Sequence, residues 1–353
     1  MSYTFKLARR TARLRVLAVA SLALTVFACN ADETTGPLSD IDTPIEAPIT
    51  ANSDTAGVTP SLYTSSTAPG IPFGDFHLPT SLFSSSRYSG SLQALWPSGV
   101  YTVLNAARNA GERVVISLAG NRGYYTNSDG TFNMSKWKYR ISLFKKYNLN
   151  QYVTSGTVIG HYLVDEPYCS GCWGGRKITY SQIEEMARYS RSIWSGLPTG
   201  VRSSPSQLGT TSFRYLDFAW AQWGGPLHTP SYKMTPEQFR DREVSRAKTL
   251  GLGLLFGMNY LDGGDGSSHI NGTYAKDPNP WDSVRCTSKG CYRYAMSASE
   301  VKRVGAVFAG ASYACGLVSW KYSSTFLSYS GVKNALDYVS GLARNRSRSS
   351  CKK

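Results

Sequence analysis

The feature that most constrains the fold is a regular alternation of short apolar runs with amphipathic stretches, which begins at Ile71. The apolar runs are too short for helices and lie between Gly and Pro residues, a pattern typical of buried parallel strands. Eight strands with intervening helices predict an α/β fold with a single (β/α)8 barrel of TIM type over residues 70–343. The predicted strands are Ile71–Leu78, Gly90–Leu95, Arg113–Leu118, the run that starts at Val158, Pro198–Ser203, Tyr215–Ala221, Leu252–Asn259 and Ala314–Trp320.

The stretches between the runs carry apolar residues at helical spacing. Helices are predicted at Gly99–Ala110, Lys136–Tyr147, Tyr180–Trp194, Thr235–Leu250, Ser297–Ala309 and Val332–Ala343. The alternative fold is an open, doubly wound sheet, which would want a Gly-rich phosphate turn after the first strand. Gly74-Asp75-Phe76-His77 is not such a turn, so the barrel is favoured.

Residues 1–28 have the pattern of an export signal. Five Lys or Arg residues and no acid are followed by an apolar stretch, Val16–Ala28, that is short for a membrane span. The stretch ends in Val26-Phe27-Ala28-Cys29, which resembles a bacterial lipobox. This resemblance implies cleavage before Cys29 and lipidation of its sulfur, whereas plain secretion and an uncleaved anchor are the alternatives.

The segment 29–69 is rich in Thr, Ser, Pro and Ala and predicts a disordered tether. The residue after Cys29 is Asn30, so the Asp of the common inner-membrane retention signal is absent. We therefore expect a lipoprotein of the outer membrane, on its periplasmic or cell-surface side.

The formal net charge of +15 overstates the basic character of the folded part. Removal of the five basic residues of the leader lowers it to +10, and five more basic residues lie in the tail 344–353. No stripe that combines basic and aromatic residues indicates nucleic-acid binding. We expect a monomer whose partners are carbohydrate and, through Cys29, a membrane.

Six further cysteines in an exported chain predict disulfides. The simplest pairing joins Cys169 to Cys172 and Cys286 to Cys291, and the remaining two, Cys315 and Cys351, join the end of the barrel to the tail. The alternative is a four-Cys zinc site from the two local pairs. Because the second spacing is loose for zinc, disulfides are favoured and no metal or other cofactor is expected.

Polar and aromatic residues cluster where the predicted strands end, which is where a barrel carries its active site. Flat aromatic rings can stack on sugar rings, and amides and charged groups can bind hydroxyls. This combination predicts a carbohydrate site. The predicted substrate-binding residues are Asp75, His77, Asn121, Arg122, Tyr124, Arg202, Trp220, Gln222, Asn259 and Trp320.

The run from Val158 to Tyr168 ends its apolar part in two adjacent carboxylates, Asp165 and Glu166. Pro167 ends the strand because it has no N–H for the sheet. Adjacent strand residues point to opposite faces, so the two acids are expected to have different roles. A structural role, capping a helix or binding an Arg, is the alternative to a catalytic one.

The run Gly-His-Tyr-Leu-Val-Asp-Glu-Pro resembles the barrel glycoside hydrolases that place their general acid/base Glu at the end of strand four. The resemblance implies that role for Glu166, with Asp165 standing where those families usually carry Asn. They usually carry a nucleophilic Glu at the end of strand seven, where this chain has Asn259 and then Asp262. The second catalytic carboxylate is therefore expected to be Asp262 or Asp75.

Two functions remain open at this point. The first is a glycoside hydrolase that acts on an extracytoplasmic carbohydrate, because glycoside cleavage requires two carboxylates. The second is a surface glycan-binding barrel without turnover. Asp262 could instead belong to a calcium-binding turn with Asp265, although Asp-Gly pairs are common in simple turns.

Overall fold

The computed structural model describes residues 68–226, 233–265 and 294–352, together with a hairpin of two short strands, His269–Ile270 and Thr273–Tyr274. The predicted export signal, the tether up to residue 67, Cys29 and the predicted Cys286–Cys291 bridge lie outside these residues. Within them, no helix combines the length and apolar character needed to cross a bilayer.

Eight parallel strands form one sheet in the order β1-β8-β7-β6-β5-β4-β3-β2. The sheet closes because Phe76, just after β1, pairs with Leu92 of β2, and the His77 N–H donates to the Leu92 carbonyl oxygen (3.0 Å). The predicted TIM-type barrel is therefore confirmed. The strands are β1 Phe73–Asp75, β2 Gly90–Ala94, β3 Arg113–Ser117, β4 Val158–Asp165, β5 Thr199–Arg202, β6 Phe218–Trp223, β7 Gly253–Met258 and β8 Ala314–Ser319.

Helices surround the sheet and begin and end at the expected signals. Capping boxes at Thr179, Thr235 and Ser297 start α4, α5 and α6, and Gly111 ends α1 with a left-handed φ of 73°. The helices are α1 Val100–Ala110, α2 Met134–Ser142, α3 Asn150–Thr154, α4 Tyr180–Ile193, α5 Pro236–Leu250, α6 Ala298–Ala309, α7 Ser324–Leu327 and α8 Ser330–Arg344.

Two connections differ from the prediction. The helix predicted at Lys136–Tyr147 ends at Ser142, and the chain continues in tighter turns in which the Phe144 N–H donates to the Ile141 carbonyl oxygen (3.0 Å). Between β5 and β6, where the pattern of strands with intervening helices predicts a helix, the described chain has a short 3-10 turn, Pro205–Gln207.

One of the buried side chains that fill the barrel interior, Phe218, requires space on two neighbouring strands. The Phe218 ring extends from β6 across β5 and towards β4, and it is buried. A Cβ on Gly200 would lie 2.1 Å from this ring, and one on Gly160 would lie 2.6 Å from it. Glycine at both positions therefore makes the space that the ring occupies.

The amino-terminal end of the barrel is covered by residues that follow α8. Cys351 is buried and forms the predicted disulfide with Cys315 of β8. Gly253 of β7 leaves room for this segment, because a Cβ there would lie 2.8 Å from the Cys351 carbonyl oxygen. Arg346 donates to the Ala311 carbonyl oxygen (2.7 Å). The basic tail 344–353 is thus packed against the barrel through Arg346 and Cys351.

Candidate active site

Arg202 organises the polar side chains of the barrel mouth, the end at which the carboxyl ends of the strands meet. Its guanidinium forms a two-point ion pair with Asp165, in which Nε binds Oδ1 and Nη2 donates to Oδ2 (2.8 Å). Nη1 donates to Gln222 Oε1 (2.5 Å), and Nη2 lies 3.5 Å from Glu166 Oε1. The Trp320 ring centroid lies 4.5 Å from Cζ. The predicted site residues of β4, β5, β6 and β8 are thus brought together.

The charges around Arg202 stabilise one another. Burial favours the neutral form, but the charges of Asp165 and Glu166 raise the pKa of Arg202, so its positive charge is secure. Burial and the charge of Asp165 also raise the pKa of the Tyr162 hydroxyl well above its ordinary value. The mouth therefore holds two carboxylates against one fixed cation.

Glu166 has an unusual backbone conformation for a residue with a side chain. Its φ is 37°, in the left-handed region that costs about 1–3 kcal/mol for such residues and is concentrated at functional sites. The Glu166 N–H donates to the Arg202 carbonyl oxygen (2.9 Å), and its own carbonyl oxygen accepts from the Trp173 indole N–H (3.0 Å). These bonds hold the backbone while the side chain remains 43% exposed.

The two adjacent carboxylates do not diverge to opposite faces as expected, since both contact Arg202. Two features interrupt the alternation. The pairing of β4 with β5 is irregular between Tyr162 and Asp165, and the positive φ of Glu166 turns the chain after the strand. Asp165 is bound on both oxygens, whereas Glu166 is the more exposed of the pair.

An aromatic cluster lies below and beside these polar groups. The Trp320 ring stacks on Phe76 (centroids 4.7 Å apart), and the exposed His77 packs its ring against the same Phe76 (3.8 Å). Trp220 is only 1% exposed, and its indole N–H donates to the Val318 carbonyl oxygen (2.9 Å). Trp220 therefore forms the floor of the mouth and offers no free ring face, although it was predicted to bind substrate.

Asn259 and Asp262 lie at the end of β7. Asn259 pairs with Trp320 through the backbone, and its Nδ2 donates to Asp262 Oδ2 (3.4 Å). Asp265 is exposed, and its backbone N–H donates to Glu300 Oε1 (2.7 Å). Asp262 thus lies beside Asn259, which is the backbone partner of Trp320.

Asp75 lies apart from this group. It is on the same side of β1 as Phe73, which packs between the sheet and the helices, and it is fully buried beside Ser319 of β8. Neither carboxylate oxygen has a hydrogen bond of good geometry, although the Tyr260 hydroxyl is close enough to favour the ionised form. Burial nevertheless raises the pKa of Asp75 to about 7, against smaller opposing effects of Tyr260 and Arg87.

The predicted residues after β3 lie on a 3-10 turn, Arg122–Tyr125, which Asn121 precedes. Arg122 Nη1 donates to the Cys172 carbonyl oxygen (3.0 Å), and its Cζ lies 4.8 Å from the Trp173 ring centroid. This contact joins the loop after β3 to the loop after β4. Tyr124 is exposed.

The predicted Cys169–Cys172 disulfide is confirmed, with sulfurs 2.09 Å apart. The Cys172 sulfur lies 3.5 Å from Glu166 Oε2. These three side chains are the one group of potential metal ligands within the described residues. The disulfide bond leaves no thiolate at this pair, so the zinc alternative does not apply to it.

Sequence reasoning missed Trp96. It follows β2 by two residues, is 45% exposed and meets Tyr124 edge to face (ring centroids 5.8 Å apart). Arg140 of α2 lies over both rings, with Cζ 4.4 Å from the Tyr124 centroid and 5.3 Å from that of Trp96. The strand-end argument used for the other strands would have identified it, since Trp96 directly follows the second predicted strand, Gly90–Leu95.

No protein-family model and no curated protein sequence matches this chain. Solved structures with similar backbones include a proposed α-L-fucosidase of Bacteroides thetaiotaomicron (11% identity, 83% of this chain and 99% of that chain, TM-score 0.48). A second is a xylanase of Paenibacillus barcinonensis (9% identity, 78% of this chain and 96% of that chain, TM-score 0.48). A third is a β-D-glucuronidase of Dictyoglomus thermophilum (12% identity, 72% of this chain and 44% of that chain, TM-score 0.45). This chain thus spans less than half of the glucuronidase chain. These structural neighbours are named as glycoside hydrolases, while the fold assignment here depends on the strand pairing of the chain itself.

Proposed function

We propose that the protein is a glycoside hydrolase whose proton donor is Glu166 and whose second carboxylate is Asp262. The observation that carries the proposal is the placement of Glu166. It directly follows β4, its side chain is 43% exposed, and hydrogen bonds hold its backbone at a φ of 37°. A carboxyl group presented in this way can reach a ligand that enters the mouth. The resemblance of the strand-four motif to barrel glycoside hydrolases supports the same role.

Hydrolysis of a glycosidic bond requires a proton for the leaving oxygen and a carboxylate that acts as base or nucleophile. Glu166 would transfer the proton. Asp262, next to Asn259 at the end of β7, would supply the second carboxylate. Asp165 is a positioning residue here, because both of its oxygens bind Arg202, the cation that Glu166 also contacts.

Other side chains of the mouth are suited to hold the sugar. Trp320 is partly exposed and can stack on a pyranose face, while the amides of Gln222 and Asn259 can bind hydroxyls. Gln222 Oε1 already accepts from Arg202, which fixes the orientation of its amide. A sugar bound by these groups would lie near Glu166, since Gln222 and Trp320 contact Arg202 and Asn259 pairs with Trp320 through the backbone.

A glycan-binding barrel without turnover is the second candidate. It is favoured by one observation: the residue directly after β7 is Asn259, an amide, where the barrel glycoside hydrolases that the strand-four motif resembles usually carry a nucleophilic Glu. We further propose, from the leader sequence alone, that the protein is an exported lipoprotein attached through Cys29 to the outer membrane. It would then meet polysaccharide outside the cytoplasm, as a monomer.

The release of reducing ends from a polysaccharide panel tests the proposal. The variants are Glu166→Gln and, as a control, Glu185→Gln on α4, whose carboxylate pairs with Lys138 and Arg188. Loss of the transferable proton should lower activity by about 10²- to 10⁴-fold in Glu166→Gln. The control should retain activity, and both variants should keep the melting temperature within a few degrees.

Substrates whose leaving groups need no proton should suffer less from Glu166→Gln than unactivated glycosides. Full activity of this variant on an unactivated glycoside would refute the assignment of Glu166. If the wild-type protein binds glycans but never releases reducing ends, the glycan-binding alternative is correct instead.

A further inference from the structure

We propose that Trp96 and Tyr124 form a second carbohydrate-binding surface next to the barrel mouth, which we call the aromatic platform. Its ligand is a pyranose unit of a polysaccharide whose neighbouring units occupy the mouth. The inference rests on the proposed function, because it concerns the same glycan chain. It adds a binding site that the reaction itself does not require.

The exposure of these two rings is the first observation. Trp96 is 45% and Tyr124 47% exposed, whereas Trp137, Trp173 and Trp223 are almost completely buried. Among the described residues, Trp96 is the one tryptophan that stands with the exposed large hydrophobic side chains. Leaving a large aromatic ring in water forgoes the free energy of its burial, about 25 cal/mol for each Å² of apolar surface. Two such rings in contact form a patch of the kind that marks binding sites.

The platform is held in place, which is the second observation. Arg140 lies over both rings, and its Nε donates to the Ala119 carbonyl oxygen (3.2 Å). Gly120 adjoins both rings and Arg140 at a φ of +73°, where a Cβ would be 3.2 Å from Tyr124 Cδ2, 3.2 Å from Arg140 Nη2 and 3.5 Å from Trp96. Rings fixed by their surroundings lose little entropy when a ligand stacks on them.

The platform is also continuous with the proposed active site. Trp96 follows β2 and Tyr124 follows β3, so both belong to loops at the carboxyl end of the sheet. Tyr124 shares its 3-10 turn with Arg122, which is bonded to the Cys172 carbonyl oxygen. The Cys172 sulfur in turn contacts Glu166. One chain of contacts therefore leads from the proton donor to the two rings.

The chemistry of the platform fits a sugar. The C–H bonds of a pyranose face are weakly positive and pack on the electron-rich face of Trp or Tyr. Arg140 beside the rings can add a hydrogen bond to a hydroxyl or carboxyl group. An aromatic pair with an arginine could equally stack nucleic-acid bases. The two ligands can be separated by experiment.

Native gel electrophoresis in gels that contain a soluble polysaccharide tests the inference. The probes are arabinoxylan, hydroxyethylcellulose, galactomannan and polygalacturonate, and single-stranded oligodeoxythymidine serves as the competing ligand. The Glu166→Gln background prevents digestion of the gel polymer. In this background we compare the parent protein with Trp96→Ala, Tyr124→Ala and Trp96→Phe.

The control is Tyr338→Ala. Tyr338 on α8 is 46% exposed and has the Lys302 ammonium over its ring (4.6 Å), so it resembles the platform residues in exposure and in its cation. We expect at least one polysaccharide to retard the parent protein. Trp96→Ala and Tyr124→Ala should each raise the dissociation constant about 2- to 10-fold, as expected for one lost aromatic contact. Trp96→Phe should restore most of the retardation, and Tyr338→Ala should leave it unchanged.

Several results would overturn the inference. The inference is wrong if none of the four polymers retards the parent protein, or if the parent and Trp96→Ala proteins are retarded equally. It is also wrong if only oligodeoxythymidine retards the parent protein. The release of reducing ends by the wild-type protein is measured separately. A protein that cleaves glycans but shows no effect of Trp96→Ala on binding would thus retain the proposed function and lose the platform.

Discussion

Replacement of Asp75 by Asn should change how the stability of the barrel depends on pH. Asp75 is fully buried, and burial raises its pKa from 3.8 to about 7 in the folded protein. The folded state therefore keeps a proton that the unfolded chain releases as the pH rises through 3.8. The free energy of unfolding of the wild-type protein should fall between about pH 4 and pH 7 and lose nothing more from this group above pH 7.

The magnitude follows from the two pKa values. Each unit of difference corresponds to about 1.4 kcal/mol, so the full change is about 4 kcal/mol. About 3 kcal/mol of it should appear between about pH 4.5 and pH 8. The amide that replaces the carboxyl group in the Asp75→Asn protein cannot ionise, so this part of the pH dependence should vanish.

Urea unfolding of both proteins at several pH values between about 4.5 and 8 measures the effect. The informative quantity is the change with pH in the difference between variant and wild type. A constant offset, such as an altered contact with Tyr260, cancels from that change. The slope of the free energy of unfolding against urea concentration should be the same for both proteins, because an equal slope means that the two proteins expose the same surface on unfolding. Parallel pH curves for the two proteins would refute the claim that Asp75 is protonated in the fold near neutral pH.

Two further predictions concern stability. The free energy of unfolding should fall by about 4 kcal/mol in the double variant Cys315→Ser/Cys351→Ser and by about 2 kcal/mol in Cys169→Ser/Cys172→Ser, because the first bridge spans 36 residues and the second only 3. Denaturant unfolding without reductant measures both losses. Equal losses would contradict the loop-length argument. Gly200→Ala should lower the free energy of unfolding by about 1–3 kcal/mol or more, since its Cβ would lie 2.1 Å from the Phe218 ring. A comparison of melting temperatures should show that Phe218→Leu partly compensates for this loss. Simple additivity of the two changes would argue against the contact.

Much of the fold was predictable because it depends on local patterns. Capping boxes at Thr235 and Ser297 mark helix starts, and Gly111 marks a helix end. The end of α2 was not predictable in this way. Trp137, Ile141 and Phe144 keep helical spacing, yet the backbone after Ser142 tightens into i→i+3 turns that no spacing rule reveals.

The candidate site was predictable to the level of strand ends and no further. Strand position identified Arg202, Gln222 and Trp320, which do adjoin one another. Side-chain direction was harder, because it depends on register. Asp75 follows Gly74 on a strand of only three residues and faces the helices, while Phe76 faces the interior. The irregular pairing near Asp165 likewise turned two acids towards one Arg.

The contact of Phe218 with Gly160 and Gly200 also bears on how this sequence can change over evolutionary time. The three positions belong to three neighbouring strands, and one ring fills the space that two absent side chains would need. A larger residue at either glycine is tolerable only after the ring has become smaller, and a smaller residue at 218 first leaves a cavity. Substitutions here are therefore expected to occur in a fixed order and to be inherited together. Among descendants of this chain, the residues at 160, 200 and 218 should vary as one set.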